Sequence, residues 1–164
     1  MKRPEFFQQV RERFSYLMDD FGFSVIHEEY YPQSFGNALV VLESKDCRIR
    51  VLLEKEQVLV DVGPLSAPEE WSSHAPDYWF GLTYVTALLA PEAEPMAYQF
   101  PDTSLDRNAR IDRQLVRLAG ILRPYCDQIA RRFCPESFQS TQEELLQLQE
   151  KQVREWLRET TRED

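Results

Sequence analysis

Histidine, cysteine and glycine are all scarce in this chain, and each scarcity removes a class of chemistry. His27 and His74 are the only imidazoles among 164 residues, which leaves little material for general acid–base catalysis at neutral pH. The three cysteines, Cys47, Cys126 and Cys134, are odd in number and widely spaced. They form neither a CxxC pair nor a zinc-finger spacing, so they read as reduced thiols of a cytoplasmic protein rather than as a disulfide framework. A metal site would have to be assembled from scattered carboxylates, and the sequence predicts no metal, no cofactor and no catalytic residue. Gly36-Asn37 is no phosphate loop, because the repeated glycines and the following Lys-Ser/Thr are missing. Long apolar runs are missing too: none approaches the roughly 18–20 residues of a membrane span, and MKRPEFFQQVRERF regains charge before a signal-peptide core can form. Positive charge is also short. Nineteen Lys and Arg face 28 Asp and Glu, a net charge of −9, which argues against general nucleic-acid binding and favours a basic partner.

What is present is a core. Hydrophobic residues make up 43% of the chain and aromatics 12%, enough for one domain spanning residues 1–164. Phe6, Phe7, Val10, Phe14, Leu17, Met18 and Phe21 recur at spacings of three and four, predicting a helix over residues 4–21 that starts at Pro4 and stops at Gly22. Four strand-like runs follow up to residue 63. Residues 23–31 end at Pro32-Gln33-Ser34; Ala38–Leu42 is continuously apolar, as in a strand covered on both faces or sitting centrally. Ile49, Val51 and Leu53 alternate with Arg48, Arg50 and Leu52, and Val58, Val60 and Val62 alternate with Leu59 and Asp61. Short turns between consecutive strands predict an antiparallel meander. Residues 64–104 read as loop around a short element at 77–89, in which Gly81 leaves helix and strand both open. The second loop, with Met96, Tyr98 and Phe100, is expected to lie over the core. From Ser104 or Asp106 onward the pattern is helical, interrupted at Pro124 and Pro135, with Ser140 and Glu143 in capping-box spacing and a frayed end from Glu159. The expected fold class is α+β: an N-terminal helix packed on a four-stranded antiparallel meander (1–63), a loop with a short helix (64–104), and a helical C-terminal half (105–164).

Several residues stand out as binding candidates. Glu28, Glu29, Tyr30 and Tyr31 close the first strand, with alternation sending Glu28 and Tyr30 to one face and Glu29 and Tyr31 to the other. Tyrosine is an efficient interface residue, and carboxylates select basic partners. Trp71 adds an aromatic in a polar loop beside Trp79. Ser34-Phe35-Gly36-Asn37 has the composition of a tight turn, with Gly36 and Asn37 tolerant of positive φ. Residues 105–134 hold seven arginines against three aspartates. Arg107, Arg110, Arg113 and Arg117 share one helix side and read first as a face paired with acids, second as an anion-facing ridge.

The aromatic N-terminal helix, the EEYYPQSFGNALVVLES and RIRVLLEKEQVLVDVG segments, and WFGL after them resemble small uncharacterised bacterial proteins over residues 1–90. Some of those are similar to immunity proteins, the cytoplasmic antidotes to secreted polymorphic toxins. The resemblance carries over no catalytic residue. With the surface chemistry, it implies a non-enzymatic protein-binding domain that occludes a basic partner through Glu28, Glu29, Tyr30, Tyr31 and Trp71. Two alternatives stand beside it. One is a small-molecule-binding or hydrolytic domain with a pocket between the sheet and residues 65–100, lined by His27 or His74. The other is a homodimer assembled through the C-terminal helices, where Leu145, Leu148, Val153, Trp156 and Leu157 form an apolar side.

Overall fold

The structure is a computed structural model and describes residues 4–71, 76–97 and 100–162. His74 and Tyr98, both singled out in the sequence, lie outside the described residues. The fold is α+β, with one correction to the expected sheet: among the described residues it has five antiparallel strands, in the order β1-β2-β3-β4-β5. The first four, β1 (Ser24–Tyr31), β2 (Asn37–Glu43), β3 (Cys47–Glu54) and β4 (Gln57–Pro64), form the meander. The fifth, β5 (Phe80–Gly81), pairs with Asp61 and Val62. It leads directly into the helix α3 (Leu82–Leu89), so the ambiguous segment 77–89 is both strand and helix.

Alternation along the strands builds two unequal faces. Ala38, Val40 and Leu42, Ile49, Val51 and Leu53, and Val58, Val60 and Val62 face the helices in the main core. Leu39, Val41 and Leu52 face the other way and are roofed by Ala67 and Trp79 from the 65–79 segment. Because β2 is covered on both sides, Ala38 through Leu42 are all fully buried, as a continuously apolar strand requires.

The predicted N-terminal helix is split at Phe14 into α1 (Glu5–Arg13) and α2 (Ser15–Asp20). Phe14 adopts φ −104°, ψ 19°, and the Leu17 N–H donates to the Phe14 carbonyl in a tightened turn. Phe14 is itself fully buried, so the apolar stripe runs unbroken through a backbone that is not. The long helix α4 (Arg107–Leu122) begins at Asp106, whose carboxylate accepts from the Ala109 N–H at 2.8 Å, satisfying one orphan donor of the first turn. Pro124 ends α4 in a 3-10 turn, Arg123–Tyr125, followed by α5 (Cys126–Phe133).

The last helix, α6 (Phe138–Thr161), departs from expectation at both ends. Ser140 lies inside the helix rather than at its cap. Phe138, tilted on Phe133 at 5.9 Å and stacked on Tyr78 at 6.2 Å, fixes an earlier start. Thr141 Oγ1 also reaches back to donate to the Arg132 carbonyl. At the far end the helix persists to Thr161, with every described residue from Val153 on exposed.

Candidate functional site

The acidic end of β1 is drawn inward by its neighbours. A register shift between Val25 and His27 sets Val25 opposite Leu42 but His27 opposite Val41. Val25 and His27 therefore lie on opposite faces despite being two residues apart. From there on, as predicted, Glu28 and Tyr30 take the helix-covered face, while His27, Glu29 and Tyr31 take the other. Glu28 accepts from Arg11 of α1 at 2.7 Å, and Tyr30 is half-buried against the main core. Glu29 is a hub. One carboxylate oxygen sits 2.6 Å from His27 Nε2 and 3.3 Å from the Trp71 backbone nitrogen, while the other accepts from the Tyr31 hydroxyl. Burial alone would raise the Glu29 pKa; the hydrogen bonds from Tyr31, His27 and Trp71 outweigh it and hold the carboxyl below its ordinary value. The same bond raises Tyr31. Trp71 closes the cluster with its ring edge-on to Tyr31 at 6.0 Å.

All five predicted site residues are thus located, and three of them, Glu29, Tyr31 and Trp71, meet. Both carboxylates have internal partners, which tie β1 to α1 and to Trp71. Among the side chains exposed at this end of the sheet are two aromatic ones, Tyr31 and Phe35. Phe35, at the tip of the β1–β2 turn, is 71% exposed. It holds φ +59°, and Gly36 follows at φ +70°, so positive φ falls on Phe35 and Gly36 rather than on Gly36 and Asn37. A bulky side chain in the left-handed region is an uncommon and costly conformation, of order 1–3 kcal/mol. The neighbouring β3–β4 turn is built the same way, with Lys55 at φ +49° and Glu56 at φ +68°. The two tips are stitched together: the Lys55 N–H donates to Asn37 Oδ1 at 2.9 Å, and Lys55 Nζ stands 5.3 Å from the centre of the Phe35 ring. Sequence reasoning treated Phe35 as part of a turn. The available signal was a large apolar residue in a segment where glycine or asparagine is the default.

The arginine ridge of α4 is a set of straps. Arg107 and Arg110 both reach Glu56, at 3.6 and 2.8 Å; Arg113 reaches Asp102 at 3.1 Å; Arg117 donates to the Ala97 carbonyl. Gln114 lies among them and imitates a strand, its Oε1 accepting from the Val58 N–H while its Nε2 donates to the Glu56 carbonyl. Between β4, the start of α3, residues 96–97 and 100–102, and this ridge lies a groove of about 470 Å³. Met96 packs on the core beside it, whereas Phe100 faces out. Like the expected pocket, the groove takes walls from the sheet and from part of 65–100, but α4 and Pro101–Asp102 line it as well and His27 does not.

Elsewhere the reactive groups are muted. Burial pushes the Cys47 and Cys126 thiols up to about 12, too high for either to be a nucleophile near neutrality. Among the described residues, no group of three His, Cys, Asp or Glu side chains is placed to hold a metal ion, and no helix is long and apolar enough to cross a membrane. Comparison with protein-family models, with curated proteins and with solved structures found no match to this chain.

Proposed function

We propose that the protein is a non-enzymatic, immunity-like binding domain that occludes a basic protein partner with the end of its sheet. The observation that carries this reading is Phe35: a phenylalanine 71% exposed and kept at positive φ, where glycine would relieve the strain. Strain retained at an exposed aromatic is what a contact anchor costs a fold. Phe35 and Tyr31 supply the anchors, Glu29 and Trp71 hold Tyr31 in place, and the net charge of −9 speeds encounter with a basic surface.

Phe35→Gly separates binding from stability. The substitution is expected to stabilise the protein by about 1 kcal/mol by releasing the backbone. It should also weaken a 1:1 complex with the co-encoded partner by about thirtyfold or more, as loss of an aromatic hot spot does. Urea denaturation reads the first effect, and titration calorimetry of the wild type and the variant against the product of the neighbouring gene reads the second. Absence of any complex for the wild type, or unchanged affinity for the variant, defeats the reading.

A second reading, a small-molecule-binding domain, is favoured by the groove alone. Its volume suits a small ligand, and among the described residues Arg117 bonds there to a carbonyl rather than to a carboxylate, which selects an anion. Thermal-shift screening with phosphate and with short-chain carboxylates should raise the wild-type Tm and leave Arg117→Ala unmoved; equal shifts in both dispose of it.

A further inference from the structure

We infer that the projecting half of α6 is a self-association surface on which a second copy of this chain docks in antiparallel orientation. Val153, Trp156 and Leu157 are 54, 62 and 50% exposed, and their spacing of three and four places them in one stripe. Thr160 continues that stripe. Among the described residues, the hydrogen bonds of this stretch stay within the helix: Thr160 and Thr161 donate to carbonyls of Trp156, Leu157 and Arg158, and Arg154 pairs with Glu150. Residues 151–161 thus extend about 16 Å as an arm whose apolar face is left open to solvent.

Charge selects the occupant. The chain as a whole is strongly acidic, yet the arm is close to balance: over residues 150–162, Lys151, Arg154, Arg158 and Arg162 stand against three glutamates. A nearly neutral arm has no preference for the basic partner that the body attracts, and it does not repel its own copy. Charge also selects the orientation. Parallel arms would set two bodies of like charge side by side. Antiparallel arms put the bodies at opposite ends, about 16 Å apart, which is twice the screening length of about 8 Å at physiological salt. Setting Trp156 against the second copy's Trp156 overlaps the two arms in full and brings both tryptophans into the contact. Two such rings contribute about 300–500 Å², so the contact falls below the roughly 1,200 Å² at which stable interfaces begin, and a weak dimer, micromolar or looser, is expected.

Sedimentation velocity of the full chain from about 5 to about 500 µM brackets that range. The expected result is a concentration-dependent monomer–dimer equilibrium that Trp156→Glu weakens at least tenfold. Circular dichroism should show that variant still folded, because Trp156 is exposed and lies outside the core. Raising the salt should change the wild-type Kd only slightly, since the bodies are held apart. A wild type that stays monomeric throughout, or a dimer indifferent to Trp156→Glu, overturns the proposal; a dimer that tightens steeply with salt overturns the antiparallel arrangement. The arm is remote from Phe35 in sequence and stands on a different element, so these outcomes are independent of partner binding at the sheet tip.

Discussion

Arg50→Met is expected to destabilise the protein by about 3–5 kcal/mol, the cost of leaving a buried charge without its partner. Arg50 on β3 and Asp61 on β4 stand opposite each other in the sheet. They pair at 2.8 Å with both side chains only 17% exposed, and the Trp79 ring covers the guanidinium at 4.6 Å. Burial pushes the Asp61 carboxyl above its ordinary value, with Arg50 pulling it partly back. Without Arg50 the burial effect acts alone and the carboxyl rises further. A carboxyl whose folded pKa exceeds its unfolded one carries no penalty below the unfolded value. It becomes destabilising as pH climbs toward the folded value, because the unfolded chain gives up the proton more readily. Arg50→Met should therefore be most impaired at and above neutral pH and should recover as pH falls toward the usual aspartate range. Urea denaturation across that interval measures the slope. The double change Arg50→Met with Asp61→Leu should regain most of the loss, since an apolar pair can replace a buried ion pair at little cost. A single variant within about 1 kcal/mol of wild type, or a double variant no better than the single, would show that the pair is not buried in the energetic sense.

How much of this was legible depended on whether the determining contact was local. The fully apolar run Ala38–Leu42 announced a strand covered on both faces or lying centrally, and the start of α4 was narrowed to Ser104 or Asp106, because in each case the signal and its consequence lie within a few residues. The strand β5 could not be read, since two residues carry no period and Phe80–Gly81 becomes a strand only by meeting Asp61 and Val62. The break at Phe14 was masked by the apolar stripe it belongs to. At the site, the alternation that parts Glu28 from Glu29 was visible. The partners that engage both acids were not: Trp71 is 42 residues from Glu29, and Arg11 sits on another element. The paired reading of the α4 arginines holds for Arg107, Arg110 and Arg113 but not for Arg117, and it took the fold to bring Glu56 and Asp102 to the first three.

Gly63 is the position where a single added carbon should do most to undo the roof of the sheet. A Cβ there would stand 2.9 Å from the Ala67 Cβ, 2.9 Å from the Tyr78 carbonyl oxygen and 3.0 Å from Trp79 Cε3. Of these neighbours only the Trp79 ring can shift slightly; the Ala67 Cβ and the Tyr78 carbonyl move only with their backbone. That segment is also fastened: Trp79 Nε1 donates to the Pro68 carbonyl at 3.0 Å, and Arg48 donates to the Ala67 carbonyl and to Glu69. Gly63→Val must therefore break fastenings or distort β4, at a cost of about 3 kcal/mol, the upper part of the range for overpacking. The expected signature is a lowered Tm together with Trp79 becoming accessible to a collisional quencher, as Ala67 and Trp79 lift from Leu39, Val41 and Leu52. Gly63→Ala should cost less, and adding Ala67→Gly to it should recover only part of the loss, because the Tyr78 carbonyl still opposes the new methyl. A Gly63→Val protein with wild-type Tm and a shielded Trp79 would mean that the roof rests on the sheet too loosely to hold Trp71 and, through it, Tyr31 at the end of β1.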